Sequence, residues 1–340
     1  MRPGSDLQFD YVPLTERPLP RWEAVLGAAV FDGEAGGAAL AEAADIPLAQ
    51  VRMPVLDSRS GVCEIWRTNA AARSGRHGVV HYRHDEQYLF GCLSLLESDL
   101  QPTASASPLQ QVTHQAYREL YSTVHALEYP HLVRIWNYLP RINFETHGIE
   151  RYRQFNAARR DALLASGREI VGNVPAACAL GSATGSALAV YFLASRRAPH
   201  VIENPRQVSA YEYPPQYGTS PAFSRACILP QLSGGILFIS GTASIVGHES
   251  RHPGDVGAQT AETLRNIQAL LGEANRTGVA RFDLASLACK VYVRDAADLP
   301  AIRAHLARAL GERARLLYLQ ADVCREDLLV EIEAVGTGRQ

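Results

Sequence analysis

The chain has 340 residues, is 47% hydrophobic and 20% charged, and carries a formal net charge of −2. That length suits two ordinary domains or one large one. The near-neutral balance gives no electrostatic reason to expect a nucleic acid or an anionic membrane as partner. Six cysteines, Cys63, Cys92, Cys178, Cys227, Cys289 and Cys324, are scattered with no CxxC pair. This spacing argues against a zinc knuckle or a redox dithiol and for reduced thiols. The opening MRPGSDLQFDYVPL has no apolar core of a secretory signal. No stretch approaches the roughly 20 apolar residues of a membrane helix. The expectation is a cytoplasmic protein.

Residues 1–60 mix short apolar runs with Pro, Gly and Ala clusters and yield no predicted element. They are expected to be an irregular extension. Residues 76–84 (RHGVVHYRH) read as one strand, with His77 and His81 on one face and His84 on the other, which is no metal site. A short strand follows at 88–93 and a loop at 101–108. The pattern then predicts a helix over about 113–127, a strand within 131–139, an amphipathic helix over 150–165, and strands at 175–180 and 186–193. Residues 198–215 hold four prolines and mark a break.

Beyond the break, 235–240 (GILFIS) reads as a strand. Asp255 is placed to cap a helix running to about Leu271, and Gly272 suits its end. A strand at 287–293, a helix from Pro300 to near Gly311, and strands at 315–323 and 328–335 complete the order β-α-β-α-β-β. Residues 88–193 repeat that order, which predicts two copies of one α+β unit. The division falls near residue 200, giving a diverged N-terminal half with its extension (1–200) and a C-terminal domain (201–340).

Alternation in the last strand points Leu328, Val330, Ile332 and Ala334 one way, and Leu329, Glu331, Glu333 and Val335 the other. Two helices can cover only the first face. The second mixes carboxylates with apolar residues and needs another sheet over it, leaving a cleft suited to a small molecule. The segment 181–185 (GSATG) lacks the Lys-Ser/Thr ending of a phosphate loop. No Gly-x-Ser-x-Gly elbow occurs, and His248 and His252 read as surface loop residues.

The stretches LFISGTAS, AQTAETLRNIQALL, CKVYVRD, ARLLYLQAD and VEIEAV resemble the reactive-intermediate deaminase (Rid) family. In that family the arginine matching Arg315 holds a substrate carboxylate and the glutamate matching Glu331 activates water. A Rid protein is a single such unit. The longer chain, with VRIWNYLPRIN, ERYRQFNAARRDAL, PAACALGSATG and NPRQVSAYEYPPQYG, is similar to the chorismatases. That resemblance implies an α+β fold of two Rid-like (chorismate-mutase-like) units packed sheet to sheet, with an N-terminal extension. It implies conversion of chorismate to 3-hydroxybenzoate and pyruvate, with no cofactor and no metal, by a monomer or small homo-oligomer.

Releasing pyruvate from chorismate requires a proton at the methylene carbon of the enol ether. A partly buried carboxyl with a raised pKa suits that step. The family match selects Glu331, with Glu333 as the competing choice on the same strand face. Arg315 and Arg225 are expected to hold the two carboxylates of the substrate, since a guanidinium binds a carboxylate as a fork. Tyr211, Tyr213 and Tyr217 crowd one proline-rigid loop that is placed to wall the cleft. By the resemblance, Cys324 and Gly241 mark the 3-hydroxybenzoate-forming subgroup. The alternatives are a hydrolytic chorismatase giving a dihydroxy-cyclohexadiene carboxylate, a Rid-type imine deaminase and a non-catalytic metabolite-binding module.

Overall fold

The structure, a computed structural model, describes residues 6–14, 24–31, 45–58, 61–168, 174–311 and 314–339. The first strands come from the stretch in which no element was expected. They are β1 (Gln8–Pro13), β2 (Val25–Phe31), β3 (Leu48–Val51) and β4 (Val62–Arg67), forming one sheet in the order β1-β4-β2-β3. The extension is therefore regular. Every residue of β2 is buried, so its apolar run shows no alternation by which to recognise a strand.

The next part contains β5 (Arg73–His77), β6 (Val80–His84), β7 (Tyr88–Leu95), α1 (Pro108–Ala126) and β8 (His131–Pro140). It continues with a small hairpin of β9 (Glu145–Thr146) and β10 (Ile149–Glu150), then α2 (Arg151–Ala165), β11 (Ala176–Ser182) and β12 (Leu188–Ser195). Residues 76–84 are a tight hairpin rather than one strand, turned at Gly78 with its φ of 54°. Helix α1 starts at Pro108, not Thr113, because Ser107 and Gln110 form a capping box ahead of it.

The last part contains β13 (His200–Ile202), β14 (Ala226–Gln231), β15 (Gly234–Ala243), β16 (Ile245–Val246), β17 (Glu249–Ser250) and α3 (Val256–Arg276). It ends with β18 (Ala288–Val293), α4 (Leu299–Leu310), β19 (Arg315–Gln320) and β20 (Val330–Gly338). Asp255 caps α3 through Ala258 N, as expected. The helix runs through Gly272 to Arg276, because Leu270, Leu271 and Ala274 remain on its buried stripe.

The two six-stranded sheets share one topology. They run β11-β8-β12-β7-β6-β5 and, read from the matching edge, β19-β18-β20-β15-β14-β13. Each begins with a parallel pair, followed by antiparallel neighbours. The internal repeat is thus a repeat of strand order as well as of element order. The first sheet, read β3-β2-β4-β1, begins with the same parallel pair and antiparallel neighbours.

Helices α1 and α2 cover one face of the second sheet, and α3 and α4 one face of the third. The opposite faces of both sheets, with one face of the first, converge on a single core. Trp66 of β4 stacks on Phe238 of β15 at 5.7 Å, lies 5.7 Å from Trp136 of β8, and stacks on Phe9 of β1 at 5.3 Å. One side chain therefore ties three sheets together. In β20, Val330, Ile332 and Ala334 enter the helix-side core, while Glu331, Glu333 and Val335 face the other way.

Four charged side chains are sealed in the centre, one from each of four strands. Glu333 accepts from Arg134 Nη2 at 2.6 Å and from Trp136 Nε1 at 2.9 Å. Lys290 Nζ lies 2.7 Å from both Glu333 and Glu64. Glu64 also accepts from Trp66 Nε1 at 2.7 Å. Two cations and two anions balance, and the ring bonds help repay desolvation. Replacing Trp66 by Ala empties the point where the sheets meet. It is expected to cost about 3–5 kcal/mol of stability in chemical denaturation, as one transition rather than separate loss of the extension.

Candidate active site

The site begins with the pleat of β20. Glu331 and Glu333 share a face, yet their surroundings differ. Glu333 has three donors. Glu331 is buried at 4% exposure and forms no ion pair among the described residues. Burial raises its carboxyl, and the nearby Glu333 charge raises it further, against the pull of Arg134 and Arg225; the result is pushed up to about 8. Burial would also raise Glu333, but Lys290 and Arg134 overcome it and hold that carboxyl down to about 2. One is a neutral acid at pH 7 and the other a fixed anion.

Strand β15 makes room for the neutral acid. Its pairing with β20 shifts between Ile239 and Thr242, so Ser240 and Gly241 form a bulge. A Cβ at Gly241 would overlap Glu331 Oε1 and press on Cys178 at 3.2 Å. Only glycine leaves that volume to the carboxyl. Ser240 fixes the bulge to the second sheet by accepting from Ala177 N at 2.9 Å and donating to Ser224 O at 2.6 Å.

The turn before β20 is clamped by Arg294, which donates to Val323 O, Arg325 O and Leu328 O at 2.8–3.1 Å and pairs with Asp322 at 2.7 Å. This presents Cys324 and Arg325 to the cleft. Burial and the neighbouring Glu331 push the Cys324 thiol up to about 12, so it stays protonated.

Glu331, Gly241 and Cys324 line one cleft of about 960 Å³, together with Arg225, Tyr213 and Tyr217. Its floor continues into a recess of about 30 Å³ bounded by Arg159, Cys178 and Cys324. Arg225 donates to Val208 O and Tyr213 Oη, both at 2.8 Å, while its buried Nε has no partner. Six of the eight residues singled out as site candidates therefore gather here.

Two do not. Arg315 lies on the correct face of β19 but at the wrong end. It is level with Ala288 and Val335, whereas Glu331 is level with Tyr292. That offset is four residues, about 13 Å, and two strands across. Arg315 is half-exposed, pairs with Asp10 at 2.7 Å and stacks over Phe9, because the first sheet covers that end. Tyr211 is rotated away from Tyr213 by the single turn at Ala210–Glu212 and packs into the core beneath α1 and α2.

Two guanidiniums that were not among the expected site residues border the cleft and its recess. Arg325 lies over Tyr217 at 4.3 Å and Tyr213 at 5.4 Å, donates to His248 O at 2.9 Å, and keeps a buried Nη2 without a partner. Arg159 of α2 is buried at the recess, with Nε and Nη2 unpartnered. Its sequence signal was its register: it follows Phe155 by four residues on the apolar stripe, where arginine is out of place.

The family model described as "Chorismatase FkbO/Hyg5-like, N-terminal" matches residues 64–194. A chorismatase of Streptomyces rapamycinicus is 35% identical over 344 residues, covering 95% of this chain and 99% of that one. The chain belongs to the chorismatase family. A 3-hydroxybenzoate synthase of Streptomyces hygroscopicus is 39% identical over 283 residues, 80% of each chain. A chorismatase crystal structure matches with a TM-score of 0.85 at 31% identity, over 98% of this chain and 99% of that one. Among the described residues of this chorismatase, no helix is long and apolar enough to cross a membrane.

Within that family fold, Gly241 is a direct steric constraint on the acid. Gly241→Val is expected to lower turnover by about 100-fold, since displacement by an ångström is enough to misplace a catalytic group. Circular dichroism should remain native, because a β-branched residue suits a strand.

Proposed function

We propose that the chain converts chorismate to 3-hydroxybenzoate and pyruvate, with Glu331 as the proton donor. The observation that carries this reading is a carboxyl buried without an ion pair among the described residues, pushed up to about 8, on a cleft lined by the guanidiniums of Arg225 and Arg325. Chorismate is a dianion whose reacting carbon needs a proton, and this combination answers both needs.

Glu331 gives its proton to the methylene carbon, which becomes the methyl group of pyruvate. The ring–oxygen bond breaks toward the resulting oxocarbenium, releasing pyruvate as a ketone. The neighbouring ring hydroxyl closes on the vacated carbon, and its proton returns to the Glu331 carboxylate. The arene-oxide-like intermediate opens to the phenol. No water is consumed and the two products sum to the substrate.

In this reading Arg225 and Arg325 hold the two carboxylates, Tyr213 and Tyr217 wall the ring, and Cys324 keeps water from the reacting face. Arg159 closes the inner end. The raised pKa of the half-buried Cys324 thiol supports that exclusion, since a neutral thiol is a small apolar group with a weak donor. The relatives named 3-hydroxybenzoate synthase and chorismatase support the substrate class. The division near residue 200 belongs to this proposal as well, because β13 already pairs into the third sheet.

Pyruvate release from chorismate, followed by a coupled lactate dehydrogenase assay, tests the reaction. Chromatography then distinguishes an aromatic acid from a diene diol, and absence of pyruvate sinks the reading. Glu331→Gln is expected to reduce turnover by about 10²–10⁴-fold, and wild-type activity should fall as pH rises through about 8.

The same substitution should alter stability in the opposite direction. An unfolded glutamate ionises near pH ~4.3, while the folded one holds its proton to about 8. The wild type therefore loses stability as pH rises between those values. Glu331→Gln escapes that loss and should melt higher than wild type at pH 8 but not at pH 4. Arg325→Met is expected to raise KM about 10- to 100-fold, the worth of a charged hydrogen bond, with kcat changed less.

A further inference from the structure

The buried charge cluster has no side chain on the cleft, yet it adjoins Glu331. Residues two apart on a strand face sit about 7 Å from each other. We propose that Glu333, fixed as an anion by Lys290 and Arg134, is a positioning charge that keeps Glu331 protonated, and that Glu64 from the first sheet sustains it by offsetting Lys290. This rests on the reading of Glu331 as the proton donor and goes beyond it.

Every element packed around Glu331 contributes to the balance. Arg134 of β8 and Arg225, in the loop before β14, both favour its ionised form. Arg159 of α2 and Arg325 of the turn share its cavities. The phenols of Tyr152 and Tyr292 and the thiols of Cys178 and Cys324 are raised by burial and carry no charge at working pH. The carboxylates of Glu145, Glu150, Glu249, Glu326 and Asp327 line the outer cleft, and on the inner side Glu333 adds to burial in raising Glu331. Glu333 pairs with Arg134 at 2.6 Å, and Lys290 lies 2.7 Å from both Glu333 and Glu64. The first sheet thereby acts on chemistry across the core, through a carboxylate that never meets substrate.

The test is the pH dependence of kcat/KM for pyruvate release from chorismate in wild type, Glu64→Gln, Glu333→Gln and Glu331→Gln. A unit charge about 7 Å away at an effective dielectric of ~20 is worth more than one pH unit. The alkaline limb in Glu333→Gln should therefore move down by about 1 pH unit or more. Glu64→Gln should move it the same way by less. A role limited to packing would lower the rate or the melting temperature and leave the limb where it is, which overturns the proposal. If Glu333→Gln does not fold, the limb of Glu64→Gln decides alone, and an unmoved limb there overturns it. A Glu331→Gln enzyme that still turns over defeats the reading of Glu331 as acid. An inactive Glu331→Gln with unmoved limbs in the other two variants defeats only this inference.

Discussion

Two carboxyls placed two residues apart on one buried strand face cannot both stay charged unless each has its own cations. In this chain only Glu333 has them. Lys290 and Arg134 close on it from β18 and β8, and Trp136 adds a neutral donor. Glu331 has no ion pair among the described residues, and burial with a neighbouring negative charge outweighs the pull of Arg134 and Arg225. The same cluster joins the three sheets, since Glu64, Arg134, Lys290 and Glu333 come from all of them. Stability and acidity are therefore set by one group of side chains. Glu333 strengthens the fold above its low pKa, while Glu331 weakens it wherever the pH exceeds the ordinary carboxyl value.

The three sheets divide the space between them into two ends. At one end the first sheet seals the core, where Phe9 and Asp10 hold Arg315; farther along β19 the segment after β3 pairs with it, Leu56 N donating to Tyr318 O and Gln320 N to Pro54 O, both at 2.9 Å. At the other end the sheets diverge, and helix α2, the 208–225 loop and the Arg294-clamped turn enclose the cleft. A glycine bulge at that end gives the acid its seat. This arrangement explains why the position that serves as a carboxylate clamp in the Rid resemblance is occupied here by a surface ion pair.

How much of this was legible in the sequence varied with the range of the interaction. Alternation along β20 correctly put Glu331 and Glu333 on the face away from the helices. It could not choose between them, because the choice depends on Arg134, which lies 199 residues away in the chain. Element order revealed the repeat, the family resemblance found the cleft residues Arg225, Cys324 and Gly241, and the crowding of tyrosines in a proline-rigid loop pointed to Tyr213 and Tyr217. The same resemblance misled at Arg315, since strand and face can be read locally but the end at which a cleft opens depends on a sheet from the other terminus. In that sheet, β2 was hidden by uniform burial. The start of α1 is legible in the Ser107–Gln110 capping box, ahead of residue 113, at which the apolar periodicity begins.

The central claim is that Glu331 carries a proton at neutral pH, and the direct measurement is its carboxyl stretch. Infrared difference spectra of wild type against Glu331→Gln, taken from pH 6 to 10, isolate that one group. The account predicts a protonated carboxyl band at pH 7 that disappears around pH 8 and has no counterpart in the variant. A Glu331 carboxylate already ionised at pH 6 would contradict it.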